Sequence, residues 1–164
     1  MSDLSVPIRY DNWATEKVVQ FCAALSPEQR ALTTPGTMGT VEATVIHMVA
    51  AKERYAASLS GRPAPDDAIR EATTTDLGQV VARAKELSDW YATFAKGEID
   101  LDRLLERRGA DGVVQQVPTD ILLAQLFHHG NEHRAQLGSI FGAHGIDPPH
   151  YSAFNWGHEL GKFG

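Results

Sequence analysis

The chain has 164 residues, 43% hydrophobic and 22% charged, a folded composition with enough apolar material for one buried core. Its net charge of −6, with no basic run longer than Arg107-Arg108, argues against nucleic acid or an anionic membrane as partner, since both need a basic surface. The single cysteine, Cys22, excludes an internal disulfide framework and any cysteine-rich zinc cluster, and its apolar helical setting reads as a small buried thiol.

The N-terminal MSDLSVPIRYDNW is too polar for a signal peptide, and no window is long and apolar enough to span a bilayer. A cytoplasmic protein is expected. Without internal repeats or low-complexity tracts, residues 1–164 read as a single domain.

From Ile8 the chain predicts a first helix, with Tyr10, Ala14, Val18, Phe21 and Leu25 at helical spacing and an end at Ser26-Pro27. TTPGTMGT is a loop. A second helix spans Met38 to Ser60 and is closed by Gly61 and Pro63. It is apolar nearly all round: Met38, Val41, Val45, Met48 and Val49 line one side, with Thr40, Ala43, Thr44, His47, Ala50 and Ala51 opposite. Such a helix is buried on both sides, inside a bundle.

After the linker RPAPDDAIREATTTD, a third helix runs from Leu77 to Phe94, capped by Thr75 or Asp76. Its core side carries Leu77, Val81, Ala84, Leu87, Tyr91 and Phe94. Asp111-Gly112, between LLERR and VVQQV, predicts a short β-hairpin, with a helix continuing to Arg108 as the competing reading. The fourth helix starts at Val117-Pro118-Thr119, proline in its first turn, and stops at His144-Gly145-Ile146. The aromatic tail HYSAFNWGHELGKFG packs on the bundle as a short helix. The expected fold is all-α, an antiparallel four-helix bundle whose long connections after the second and third helices allow a crossover.

The fourth helix carries FHHGNEHRAQLGSIFGAHG, in which two pairs interleave, His129 with His133 and His128 with Glu132. Leu122, Leu126, His129, His133, Leu137 and Ile140 form one continuous stripe. Ile121, Gln125, His128, Glu132, Gln136 and Ser139 form a polar one. Each residue turns the side chain by about 100°, so the two pairs face different ways. His129 and His133 interrupt the core-facing surface.

Two imidazoles on a buried stripe need hydrogen-bond or metal partners, since a bare polar group there costs about 1–3 kcal/mol. Spacing i, i+4 aims two ring nitrogens at one point, as in helical zinc sites, although the glutamate of an HExxH protease is absent. A tight site needs a third ligand, and His47, near the middle of the second helix, is the candidate. Three imidazoles with an open position describe a catalytic type of metal site. Such pairs also arise by chance as surface or locally hydrogen-bonded histidines, and spacing alone does not separate these readings.

The chain resembles the DinB-like superfamily of damage-inducible metalloproteins, whose members include bacterial thiol transferases. RYDNWATEKVVQFCAALSPEQ is similar to the family's first helix, with its Tyr-x-x-Trp-Ala start. MGTVEATVIHMVAAKERYAASLSG is similar to its second, with one mid-helix histidine. LAQLFHHGNEHRAQLGSIFGAHGIDPP is similar to the signature fourth, an H-x-x-x-H-R-x-Q pattern followed by Gly and Pro. The likeness runs from about residue 8 to 149. It implies a divalent metal, typically zinc or nickel, on His47, His129 and His133, and a homodimer. Many members carry an acidic residue and then an aromatic-apolar run in the tail. Here the tail has His150, Asn155, Trp156 and His158 instead, which weakens any substrate analogy.

The resemblance implies thiol chemistry: a metal-dependent thiol transferase or isomerase that joins a low-molecular-weight thiol to a small electrophile. Arg134 is a candidate for an anionic substrate group, with a surface salt bridge as its alternative. Trp156, with Tyr10, Trp13 and Tyr55, is a candidate pocket-lining residue, with core packing as its alternative. Glu132 is a candidate to orient a ligand imidazole by accepting from its outer ring N–H, against a solvated role. The alternative function is a non-catalytic metal-binding stress-response module acting through its dimer or a protein partner. A bundle without metal, its histidines bonded to each other or to buried water, is the third reading. Imidazole ligands suit zinc, nickel, copper and iron alike.

Overall fold

A computed structural model describes residues 4–61, 69, 71, 73–108 and 113–163. The elements are α1 (Ser5–Ala23), α2 (Pro27–Arg30), α3 (Val41–Ser60), α4 (Leu77–Phe94), β1 (Leu104–Arg108), β2 (Val114–Pro118), α5 (Thr119–Ala143) and α6 (Ala153–Glu159). The fold is mostly helical, with one small hairpin before the last long helix, as the sequence predicts. Among the described residues no helix is long and apolar enough to cross a membrane.

Local chemistry sets the boundaries. The first helix stops at Ala23, and Ser26-Pro27 opens the one-turn α2 rather than closing α1. Ser26 and Gln29 satisfy each other's backbone N–H groups in a capping box, with proline in the first turn where no N–H is needed. The second long helix begins at Val41, because the Thr40 hydroxyl accepts from the Ala43 N–H. Met38 therefore lies before the helix. Gly61 ends α3 in the left-handed region at φ 68°, a conformation that glycine adopts without strain. The Pro63 stop lies outside the described residues. Asp76 caps α4 through the Gly78 N–H.

The hairpin pairs β1 and β2 antiparallel, from Leu104 opposite Pro118 to Arg108 opposite Val114. Its second strand lies one residue later than VVQQV. The Asp111-Gly112 turn lies outside the described residues. Pro118 ends β2 and caps α5, where the sequence suggests a position inside the first turn. At the other end of α5, Gly145 turns at φ 67° and Ile146 N–H donates to Phe141 O at 3.0 Å, which satisfies a terminal carbonyl.

In the bundle α1 packs against α4 and α5, and α3 packs against the same two helices. The α3/α5 pair is antiparallel: His47 meets His129 and Tyr55 meets Gln125. By contrast α1 and α5 run the same way, since Asp11 meets Arg134 and Phe21 meets Phe141. Parallel neighbours require a crossover connection. The core runs through Val18, Val45, Val49, Val80, Tyr91, Leu122, Leu137 and Phe141. Cys22 is part of it, and burial pushes its thiol up to about 12, so the group is an unreactive apolar filler.

The buried face of α1 departs from its apolar pattern. Asp11, Asn12 and Thr15 are buried, while Tyr10 and Phe21 are only partly covered. On α3, Lys52 and Glu53 are buried as well. These charges are tolerated because they are paired. Asp11 accepts from Lys52 Nζ at 2.8 Å and from Arg134 Nη1 at 2.9 Å.

Candidate metal centre

The fourth long helix presents its histidines as the stripe predicts: His133 is buried, His129 half-buried, and His128 and Glu132 exposed. His47 projects from α3 toward them. The three Nε2 atoms converge, 3.1 Å from His47 to His129 and 3.2 Å from His133 to His129. These three residues form a cluster that can hold a metal ion.

Their outer nitrogens decide what the inner ones offer. His47 Nδ1 lies 2.8 Å from Glu71 Oε2. A carboxylate only accepts, so Nδ1 carries a proton, and in that neutral tautomer Nε2 is a lone pair. His133 Nδ1 lies 2.9 Å from Gln136 Oε1. That amide is oriented by the Met38 backbone N–H, which can only donate and reaches the same oxygen at 3.3 Å. His133 Nδ1 must therefore donate too, leaving a second lone pair on its Nε2.

Both lone pairs face His129 Nε2. A ring nitrogen carries one proton or one lone pair and cannot saturate two acceptors. With the three rings in these neutral tautomers, hydrogen bonds alone leave the cluster under-satisfied, whereas a cation takes a lone pair from each ring. The donor set fits a divalent metal.

The electrostatics keep the central ring ready for this role. Burial, then the neighbouring His133 and His47 and the charge of Arg54, depress the His129 pKa from 6.5 to about 4, against an opposing pull from Glu71. It is neutral near pH 7, the state a metal needs. Burial raises the Glu71 carboxyl, but hydrogen bonds from His47 and Arg54 outweigh it and hold the group below its ordinary value. Glu71 is thus an anion that fixes the His47 tautomer.

The sequence matches the DinB family over residues 1–157. The chain belongs to the DinB family. Among solved structures, this DinB-family chain is similar to a DinB-like protein from Bacillus cereus ATCC 10987, with TM-score 0.64 and 18% identity. That match covers 86% of this chain and 90% of the other, and it bears on the fold alone. No curated protein matches the chain.

Other candidate residues of the DinB-family chain sit elsewhere. Arg134 points into the core, bonded to Asp11 and, at 3.0 Å, to Thr15 Oγ1, with 3% of its side chain exposed. Glu132 touches the Gln136 amide at 3.5 Å and reaches no imidazole. Trp156 packs against Tyr10, with Arg9 over its ring. With Trp13, Lys17 and Glu159 it lines an open groove of about 440 Å³ between α1, α4 and α6 that shares no residue with the histidine cluster. Tyr10 donates to Tyr151 O at 3.0 Å. Tyr55 does meet the cluster, edge-on to His129 with ring centres 5.8 Å apart.

Glu71 and Gln136, the two groups on the outer nitrogens, are absent from the sequence-derived set. Gln136 carries a usable signal, since i, i+3 from His133 places it one turn away on the same helix. Glu71 has none. It comes from the linker, 24 residues from His47, and chain folding alone brings it there.

Proposed function

We propose that His47, His129 and His133 hold one divalent ion, zinc or nickel, with a position left open, and that the protein is a metal-dependent thiol transferase or isomerase acting on a small electrophile. The observation that carries this reading is the convergence of three Nε2 atoms, two with their outer protons directed to Glu71 and Gln136. A bound ion of this kind acidifies a ligating thiol or water, giving a nucleophile near neutral pH. Glu71 holds the His47 ring in its ligating tautomer, and Gln136 does the same for His133. Leu126 and Met48, beside His129, give the centre an apolar side.

In this reading residues 1–164 form one cytoplasmic domain that pairs as a homodimer. The exposed Phe154, Leu160 and Phe163 of the C-terminal segment supply apolar surface of the kind such contacts use. Elemental analysis of protein purified without a histidine tag is the primary test. About one equivalent of metal is expected, lost in His129→Ala. Metal-free protein at every pH above about 7 would sink the reading, because an unperturbed imidazole is in its ligating form there. A screen of thiols against electrophiles, with His47→Ala as control, then separates an enzyme from a stress-response module that binds metal without catalysis.

A further inference from the structure

The rim of the histidine cluster carries an arginine that offers the metal no ligand atom. We propose that Arg54 is a carboxylate-recognising residue beside the metal centre, so that the ligand taken at the open position carries a carboxylate. This rests on the metal reading above and extends it to the class of ligand.

Arg54 lies seven residues after His47 on α3, two turns along the same face. Its Nη1 donates to Glu71 Oε1 at 2.6 Å, while the other oxygen of that carboxylate meets His47 Nδ1 at 2.8 Å. One carboxylate therefore separates the guanidinium from a metal-ligand imidazole. The brace holds the guanidinium still, which lowers the entropy lost when a ligand binds.

The guanidinium retains donors to use. Five N–H groups form its planar fork, matched to a carboxylate, and Glu71 engages it through Nη1. Its side chain is 43% exposed, so the rest of the fork is open to an incoming molecule. The cations deeper in the bundle are not: Lys52 and Arg134 are buried on Asp11. The anion-binding role that the sequence suggests for Arg134 thus passes to Arg54 on grounds of access.

Charge balance points the same way. Arg54 and Glu71 carry opposite charges, and a divalent ion adds two positive ones. A ligand offering a thiolate to the ion and a carboxylate to Arg54 neutralises both. Arg54 meets Glu71 on the Nδ1 side of His47 and the cluster lies on its Nε2 side, so such a ligand reaches past both the Glu71 carboxylate and the His47 ring.

The test uses full-length protein loaded with cobalt(II), whose absorption bands report thiolate binding, titrated with 3-mercaptopropionate and with 2-mercaptoethanol. Wild-type protein is expected to bind the carboxylated thiol about tenfold more tightly, the ratio for one charge-assisted hydrogen-bond pair. Arg54→Gln should bring the ratio to about one while leaving 2-mercaptoethanol binding within about twofold, and Arg54→Lys should keep part of the preference. Equal affinities in the wild type overturn the proposal. So does Arg54→Gln weakening both thiols alike, which would mark a purely structural role through Glu71. Failure to take up cobalt at all is a different result, one that removes the metal reading itself.

Discussion

Asp11 and Arg134 stand 123 residues apart in the chain and 2.9 Å apart in the fold, both buried, and Lys52 closes the cluster on the second carboxylate oxygen. The network ties α1, α3 and α5 together beside the histidine cluster. Burial raises the Asp11 carboxyl, but the charges of Lys52 and Arg134 and their hydrogen bonds outweigh it and hold the group below its ordinary value of 3.8. Asp11→Ala leaves two buried cations without a counter-charge and should cost about 3–5 kcal/mol in chemical denaturation. Replacing Asp11, Lys52 and Arg134 together with apolar residues should cost much less. A triple variant as unstable as the single one would contradict this account.

Gly130, inside HHGNEHR, is needed for the same contact. A Cβ added there would lie 2.8 Å from Asp11 Oδ1 and 3.1 Å from Arg134 Nη1. Alanine is favoured over glycine in a helix by about 1 kcal/mol, so a stabilising Gly130→Ala would be the ordinary result. Here the clash falls on atoms locked in a buried ion pair, and a net loss of roughly 1–2 kcal/mol is expected. Thermal melts of wild type and variant decide the sign.

The metal-free protein should lose stability in two stages on acidification. His129 binds its proton near 6.5 when unfolded but only at about 4 when folded, so falling pH favours the unfolded chain across that window. Asp11 behaves as a depressed carboxylate: its contribution is present above 3.8 and lost as pH falls through its lower folded value. Denaturation midpoints at about pH 7.5, 5 and 4 should decline, and His129→Gln should flatten that decline. An unchanged slope in the variant would assign the loss to other groups.

Groups on the outer imidazole nitrogens should control metal affinity without contributing a ligand. Glu71→Ala and Gln136→Ala are each expected to weaken zinc binding roughly 10–100-fold in competition with a chromophoric chelator. The fold should survive, because Glu71 is exposed and Gln136 only partly covered. Glu132→Ala, which removes only a 3.5 Å contact to the Gln136 amide, should have a far smaller effect. Equal affinity in all three variants would separate the outer hydrogen bonds from metal binding.

The sequence by itself determined the helices and the direction of the histidines. The predicted third helix matches α4 at both ends, since Asp76 caps it and its apolar spacing is regular. The stripe from Leu122 to Ile140 places His129 and His133 inward and His128 outward, because a helix turns by a constant angle per residue. What local periodicity does not encode is which distant side chains meet. Arg134 reads as a candidate for an anionic substrate group or a surface salt bridge until folding buries it on Asp11 beside Lys52, and pairing then makes its burial tolerable. Glu71 reads as one acidic residue in a linker until folding sets it between His47 and Arg54. Spacing along one helix named two converging imidazoles, and tertiary packing decided which groups orient them and which cation stands at the rim.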